Sequence, residues 1–346
     1  MPVSQPPFPT SRPVVQAPMA GVQGSALAIA VAKAGGVGSL PCAMLAPQTL
    51  VKELETLRSA GCDCYNLNFF CHQQPPVDTQ QELGWRHTLQ PYFREYGLVS
   101  DDIDDKPGRQ PFSESILELI RPYRPPIVSF HFGLPDHRWI DEIKSWGASV
   151  WSTATTAQEA VWLENNGADA VITQGIEAGG HRGMFLSGKL STQLPAFELM
   201  EEVKDQLSVP VIAAGGLGNP TQLARAITSG AWAVQVGTAY LCCTECHTSR
   251  IHRARLSSEK APTTRITNVF SGRPARGIEN RLMKEVGPLS DVVPNFPYAA
   301  TALAPLRAAA EARGLGDFSP LWSGTDTSGC REVGAREHTE WLTGRL

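Results

Sequence analysis

The sequence lacks a basic excess, a long apolar run and an apolar N-terminal segment. Lysine and arginine total 30 against 34 aspartates and glutamates, and no basic stripe stands out. Nucleic-acid binding usually shows such a stripe, so we expect no nucleic-acid partner. No run is long enough for a membrane-spanning helix, and the proline-rich residues 1–13 lack the apolar core of a signal peptide. We therefore expect a cytoplasmic protein without a membrane partner.

Metal-binding spacings are also scarce. In the cytoplasm, the eight cysteines are expected to be free thiols. Cys243, Cys246 and His247 have the C-x-x-C-H spacing of covalent haem attachment, but that attachment requires export. A zinc site would need a second Cys/His pair at matching spacing, and the sequence shows none. We therefore expect no metal.

Glycines divide the chain into a repeating unit. Helical stretches end at Gly35, Gly61, Gly147, Gly167 and Gly230, and each glycine is followed by a short apolar segment. Glycine adopts the left-handed conformation after a helix without steric cost. The pattern predicts strands at residues 14–17, 37–40, 64–68, 127–131, 149–152, 170–173, 210–213 and 233–236.

Eight such strands with helices between them favour one fold class. Short apolar strands without alternation are typical of a parallel sheet covered on both faces. We therefore predict an α/β fold, a (β/α)8 TIM barrel with a smaller inserted lid domain. A doubly wound sheet is the alternative, but no G-x-G-x-x-G follows a predicted strand. Thr156 and Glu159 also predict a capping box at one of the helices.

Two long segments interrupt the repeat, and both follow carboxyl ends of strands, where barrels bind ligands. We assign residues 1–70, 112–245 and 311–346 to a cofactor-binding barrel. Residues 71–111 and 246–310 form the predicted lid, which would cover the mouth of the barrel and contact substrate.

Small and polar residues follow the last two predicted strands. They are Gly215, Gly216 and Gly218 after the seventh strand, and Gln235, Gly237 and Thr238 at the end of the eighth. In barrels these two loops commonly bind phosphate through backbone N–H groups. The alternative is that the glycines serve close packing of the chain.

Other strand ends favour a flat, polar ring. Ala17, Pro18 and Met19 lie at the end of the first strand and suit the face of a large ring. Asn68 and Gln174 offer amides to a ring edge. A polar ring joined to a phosphate predicts FMN as the cofactor, although each polar residue alone is equally compatible with capping of a strand end.

Residues 174–183 contain four glycines and one histidine. Gly179 and Gly180 precede His181, and we expect their backbone to approach the bound cofactor closely. The imidazole then projects from a stretch with little side-chain cover. Histidine titrates near neutral pH and suits proton transfer. We predict His181 as the catalytic residue and His131, at the end of the fourth strand, as a second member of the site. The alternatives are a glycine-rich turn with a surface histidine, and a structural role for His131.

The chain resembles the nitronate monooxygenases, formerly called 2-nitropropane dioxygenases. The matching pieces lie, in family order, at residues 17–22, 34–38, 68–72, 129–133, 174–183, 213–216, 235–241 and 270–277. Asn-Phe-Phe-Cys-His at 68–72 and Ser-Phe-His-Phe-Gly at 129–133 resemble the histidine-containing class that uses no nicotinamide. One departure is Trp-Ser-Gly-Thr at 322–325, where the family usually has Trp-Ala-Gly-Gln.

The resemblance implies FMN-dependent oxidation of alkyl nitronates by O2 to a carbonyl compound and nitrite. Propionate 3-nitronate is one such substrate. The oligomeric state is left open, with a homodimer as one alternative. By this resemblance, His181 binds the nitro group or acts as a base, His131 lines the pocket, and Tyr298 closes it from the lid. Two other readings stay open: an NAD(P)H-dependent FMN enoyl-reductase on the same scaffold, and a non-catalytic flavin-binding or thiol-sensing protein.

Overall fold

The computed structural model describes residues 10–99, 109–344 and 346. Its strands are β1 (Val14–Gln16), β2 (Gly38–Pro41), β3 (Tyr65–Phe70), β4 (Ile127–His131), β5 (Ser149–Ala154), β6 (Ala170–Gln174), β7 (Gly180–His181), β8 (Val211–Ala214), β9 (Ala233–Val236), β10 (Thr264–Thr267) and β11 (Ala275–Ile278). Eight of these described strands form one parallel sheet in the order β1-β9-β8-β6-β5-β4-β3-β2. A parallel bridge between Val15 and Val37 links the two ends of the sheet. The predicted TIM barrel is confirmed.

The barrel strands are apolar because both of their faces are covered. Val15, Trp151, Ile172 and Ile212 pack together in the barrel interior and are almost fully buried. The five glycines predicted at helix–strand junctions all have positive φ, from 60° at Gly61 to 106° at Gly230. Each of these junctions therefore spans only three to five residues between helix and strand.

The helices in chain order are α1 (Ser25–Lys33), α2 (Pro47–Ser59), α3 (Thr79–Tyr96), α4 (Glu114–Ile120), α5 (His137–Ser145), α6 (Ala157–Asn165), α7 (Ala196–Val203), α8 (Pro220–Thr228), α9 (Arg250–Leu256), α10 (Arg281–Val286), α11 (Ala299–Ala312) and α12 (Ala335–Thr343). Helix α12 packs between α1 and α8. The chain thus leaves the barrel after β9 and returns with α12 to close the outer ring.

The predicted capping box at α6 forms only in part. Thr156 Oγ1 accepts from the backbone N–H of Glu159 at 3.2 Å. The Glu159 carboxylate accepts instead from the backbone N–H groups of Thr155, at 2.7 Å, and of Phe185, at 2.6 Å. The carboxylate therefore ties α6 to the segment that follows His181.

A second apolar core lies outside the barrel. Trp85 and Phe93 of α3 pack there with Leu303 of α11, Phe270 and Phe318. Phe318 comes from the segment assigned to the barrel, while the other four come from the segments assigned to the lid. The division into two domains stays a prediction.

A small antiparallel sheet in the order β10-β11-β7 joins the lid to the barrel. In it, His181 of β7 pairs with Ala275 of β11. The backbone N–H of Arg182 also donates to the carbonyl of Pro274 at 2.8 Å. The segment after β6 is therefore a short strand held by the lid rather than a free loop.

Within residues 10–99, 109–344 and 346, no helix is both long and apolar enough to cross a membrane. The cytoplasmic location and the homodimer stay predictions.

Candidate active site

A cavity of about 290 Å³ opens at the carboxyl ends of the barrel strands, beneath the lid. Every residue that the sequence analysis assigned to cofactor or substrate lines it, with the exception of Tyr298. These residues come from six separate strand ends, so the barrel topology brings them together.

The glycine loops after β8 and β9 form one end of the cavity. Gly215 and Gly216 have φ of 115° and 66°, in the region that favours glycine. A Cβ on Gly237 would lie 3.3 Å from the Cβ of Ala17, so a larger side chain there has to enter the cavity or move β1. Thr238 begins a short 3₁₀ turn at the edge of the cavity, and the first N–H groups of such a turn have no partner within it. This end suits an anionic group.

The C-terminal segment 322–326 covers the same glycine loops. Gly324 donates its N–H to Thr238 Oγ1 at 2.9 Å. A Cβ on Gly179 would lie 2.5 Å from the nitrogen of Gly324, and a Cβ on Gly218 would lie 3.2 Å from Asp326 Oδ2. The glycine at 179 is thus required by chain packing, in addition to lining the cavity.

Three amide side chains line the cavity: Asn68, Gln174 and Gln235. Asn68 donates through Nδ2 to Ser129 Oγ at 2.9 Å, which fixes its orientation. Gln235 Oε1 is buried and has no hydrogen-bond partner within the described residues. A buried acceptor without a partner is costly, so a donor of a bound molecule would satisfy it. An N–H or O–H group of a polar ring fits this requirement.

Gln174 holds the segment that carries His181. Its Nε2 donates to the carbonyl of His181 at 2.9 Å, and its Oε1 accepts from the N–H of Gly183 at 2.9 Å. The amide was predicted to face a ring edge. The structure adds a role as a clamp across the turn.

His181 lies among aromatic rings. The ring centroids of Phe296 and Trp322 are each 5.5 Å from that of His181. His181 Nε2 is 2.9 Å from Ser271 Oγ, which also lies 3.3 Å from the carbonyl of Arg273. Burial, followed by the positive charge of Arg109, lowers the pKa of His181 well below its ordinary value. The imidazole is therefore neutral at physiological pH.

His131 supports His181 from the end of β4. Its Nε2–H donates to the carbonyl of His181 at 3.1 Å, because a carbonyl can only accept. Burial lowers the pKa of His131 to about 3. The next residue, Phe132, has a φ of 71°, which is strained for a non-glycine residue. The strained residue therefore directly follows the imidazole that contacts the glycine-rich segment.

Arg182 follows His181 and is fully buried. Its guanidinium donates to the carbonyls of Gly175 and Gln174, both at 2.8 Å, and to Gln193 Oε1. Burial lowers its pKa to about 9, so it stays charged at neutral pH. All three of its nitrogens serve the turn, and none lines the cavity.

Three basic residues of the cavity were not predicted from the sequence. Arg109 and His252 come from segments before β4 and after β9, and Arg307 comes from α11. The guanidinium of Arg109 lies 5.7 Å from the ring centroid of Phe296. None of the three follows a strand or a glycine motif, so no local signal marks them.

Tyr298 lies outside the cavity lining. Its hydroxyl donates to the carbonyl of Pro75 at 2.9 Å and lies 3.4 Å from Gln74 Nε2. Phe296 lies nearer to His181, in the position predicted for an aromatic residue from the lid.

The cysteines lie beside the cavity rather than in it. Burial raises the pKa of Cys246 to about 12. A hydrogen bond from Cys330 lowers the pKa of Cys242 to about 7, and Cys330 Sγ lies 3.3 Å from the carbonyl of Thr238. Across the described residues, no group of three or more His, Cys, Asp or Glu side chains is placed to hold a metal ion.

Comparison with known proteins connects this site to one family. The family model described as nitronate monooxygenase matches residues 6–341. A nitronate monooxygenase of Pseudomonas aeruginosa is 36% identical over 97% of this chain and 96% of its own length. One of Paraburkholderia phytofirmans is 37% identical over 94% of this chain and 90% of its own.

Solved structures agree with these matches. A nitroalkane oxidase of Streptomyces ansochromogenes superposes with a TM-score of 0.88 at 34% identity, over 97% of this chain and 96% of its own. FabK of Thermotoga maritima has a TM-score of 0.68 at 22% identity, over 96% of this chain and 92% of its own, and shares the fold. The chain belongs to the nitronate monooxygenase family, as its sequence motifs predicted.

Proposed function

We propose that the protein binds FMN in the cavity and oxidises alkyl nitronates with O2 to a carbonyl compound and nitrite. A nitronate is the anion left when a nitroalkane loses its α-proton, and propionate 3-nitronate is the substrate we would test first. The observation that carries the proposal is one continuous cavity that joins the glycine loops after β8 and β9 to a neutral, aromatic-lined His181.

The residues present fit FMN. The N–H groups of Gly215, Gly216 and Thr238 would hold the phosphate, where Gly237 leaves room for it. Asn68 and the unpartnered Gln235 Oε1 would contact the ring. Bound FMN would supply the redox chemistry that no protein side chain here provides.

His181 would contact the nitro group. If Ser271 donates its hydroxyl proton to His181 Nε2, the proton of the imidazole is on Nδ1 and is free to donate to a nitro oxygen. If Ser271 donates to the carbonyl of Arg273 instead, Nε2 carries the proton and Nδ1 is a free base. The first arrangement suits a nitronate, and the second suits removal of the α-proton from a neutral nitroalkane.

No observation specifically favours the two alternative hypotheses, the enoyl-reductase and the thiol-sensing protein. The similarity to FabK concerns the fold, so it adds no support for an enoyl-reductase. Bleaching of the flavin by NADH without oxygen would favour that reductase. A thiol-sensing role would be favoured by full FMN content with no turnover of nitronates or nicotinamides.

The test compares wild type with His181→Asn and with His137→Asn, which changes an imidazole on the barrel exterior. Oxygen consumption and nitrite release are measured with propionate 3-nitronate, and FMN is quantified after protein denaturation. We expect His181→Asn to keep its FMN and to lose roughly 10²–10⁴-fold in kcat/KM, the usual scale for a positioned proton-transfer group. Unchanged turnover in His181→Asn would contradict the assigned role, and wild type without FMN or nitrite release would overturn the function.

A further inference from the structure

A nitronate carries a negative charge, and the histidines of the cavity cannot balance it. The pKa values of His181, His131 and His252 are lowered mainly by burial, so all three imidazoles are neutral at pH 7. A neutral imidazole can orient a nitro group by one hydrogen bond, but it supplies no countercharge. Burying an anion without a countercharge is unfavourable.

Three arginines near His181 already donate to other groups of the protein, although Arg273 Nε has no partner within the described residues. Arg182 donates to three acceptors around the turn. Arg276 donates to the carbonyl of Ile176 at 2.9 Å, and Arg273 donates to the carbonyl of Met184. None of these three guanidinium groups lines the cavity.

Arg109 lines the cavity together with His181. Its guanidinium lies 5.7 Å from the ring centroid of Phe296, and that ring lies 5.5 Å from His181. After burial, the charge of Arg109 contributes most to the lowered pKa of His181. Within the described residues, no carboxylate forms an ion pair with Arg109.

We propose that Arg109 binds the charged nitro group of the substrate beside His181, and that Phe296 holds the guanidinium in place. The identity of the anion as a nitronate rests on the proposed function. The planar guanidinium fork matches two oxygens on one atom, which a nitro group and a carboxylate both present. An aromatic face next to a cation orients it without neutralising it. Arg109 therefore selects the anionic nitronate over the neutral nitroalkane.

Arg307 is the second guanidinium of the cavity and differs in its surroundings. Its Nε forms an ion pair with Glu311 at 2.8 Å, and half of its side chain is exposed. Its charge is thus partly balanced and screened by solvent. We assign it to the rim of the cavity rather than to the nitro group.

The experiment removes the charge and then restores it. Arg109→Gln removes the cation, and Arg109→Lys keeps a charge without the planar fork. Arg313→Gln is the matched control, because Arg313 also lies over an aromatic ring of the lid, 4.3 Å from the centroid of Tyr96, but outside the cavity. Melting temperature and FMN content confirm that each variant is folded.

Nitrate is the first probe, because it is a planar anion with the same oxygen geometry and needs no turnover. Calorimetric titration of the purified holoenzyme should show nitrate binding to wild type and to Arg313→Gln. We expect binding about tenfold or more weaker in Arg109→Gln and intermediate in Arg109→Lys. Equal binding by wild type and Arg109→Gln, or no binding by wild type, would overturn the proposal.

Turnover of propionate 3-nitronate is the second measurement. We expect Arg109→Gln to raise KM about tenfold or more while kcat changes little, and to leave KM for neutral nitroethane nearly unchanged. A fall in kcat alone would overturn the binding role. A third outcome is that wild type binds nitrate but oxidises no nitronate, and that Arg109→Gln no longer binds nitrate. In that case the proposed function fails while the anion site stands.

Discussion

At the scale of single residues, one hydroxyl controls what the imidazole of His181 can do. Ser271 lies within hydrogen-bond distance of both His181 Nε2 and the carbonyl of Arg273, but it has a single proton to donate. The acceptor to which Ser271 donates this proton determines the tautomer of His181. Ser271 is therefore a positioning residue that acts through the imidazole.

Replacing Ser271 with alanine should allow His181 to populate both of its neutral tautomers. We expect Ser271→Ala to keep its FMN and to lose about tenfold in kcat, because the ring is no longer held in one orientation. The ¹⁵N chemical shifts of His181 should change from those of one dominant tautomer to an average of two. Ser115→Ala, an exposed serine, is the control. Unchanged ¹⁵N shifts would show that Ser271 has no influence on the tautomer.

The site could be predicted from the sequence where a strand end marks it. His181 stands out because four glycines surround it, and Gly215, Gly216 and Gly237 follow apolar strands. The clamp formed by Gln174 could not be predicted, because its partners depend on how the chain folds back at His181. Arg109 has no neighbouring motif at all, and only the lid brings it beside Phe296.

At the scale of elements, Glu159 couples a barrel helix to the active-site turn. Its side chain is almost completely buried at the start of α6. Besides Thr155, it accepts from the N–H groups of Phe185 and Leu186, at 2.6 and 3.1 Å. The helix and the segment after His181 therefore share one carboxylate, and either would be left with unsatisfied donors without it.

Glu159→Gln should destabilise the fold and loosen this segment. The amide replaces an acceptor oxygen with a donor that faces backbone N–H groups, so we expect a loss of about 2–4 kcal/mol in the free energy of unfolding. Urea denaturation measures it, and hydrogen exchange at 183–187 should increase. Glu164→Gln is the control, because Glu164 accepts a similar set of bonds from Ser208 and Val209 at the surface. Equal losses in the two variants would contradict the coupling.

The barrel strands were predictable because each combines local apolarity with a glycine junction. The strands β10 and β11 were not predicted, since they lie in a segment without that rhythm. Strand β7 is two residues long and exists only through its pairing with Ala275 and Arg276. No local pattern can predict a strand whose whole stabilisation comes from residues about 95 positions away.

At the scale of the whole molecule, buried histidines make stability depend on pH. The pKa values of His72, His252 and His338 are each lowered to about 4, mainly by burial. Below pH 6.5 the unfolded chain binds protons that the folded chain does not bind until about pH 4. The free energy of unfolding therefore falls as pH drops through this window, and it is independent of these groups above it.

His338→Phe should reduce that dependence. His338 packs between the rings of Tyr240 and Trp341, at 4.9 and 5.4 Å, and neither of its nitrogens has a partner within the described residues. Phenylalanine keeps the ring contacts and removes the titratable imidazole. We expect the slope of unfolding free energy against pH to fall by about 1.4 kcal/mol per pH unit between pH 6 and 5, measured by urea denaturation. An unchanged slope would mean that His338 does not titrate in this range.

The small sheet of β10, β11 and β7 has a consequence for protein engineering. His181 lies on β7, and the strand that pairs with β7 belongs to the lid. The proposed catalytic residue and the lid that covers the substrate are therefore one structural unit. Lids exchanged between relatives will transfer a working substrate preference only when the donor also contributes residues 175–183. A crossover placed between these segments would pair the β7 of one relative with the β11 of another, and the position of His181 would no longer be fixed by its own partner strand.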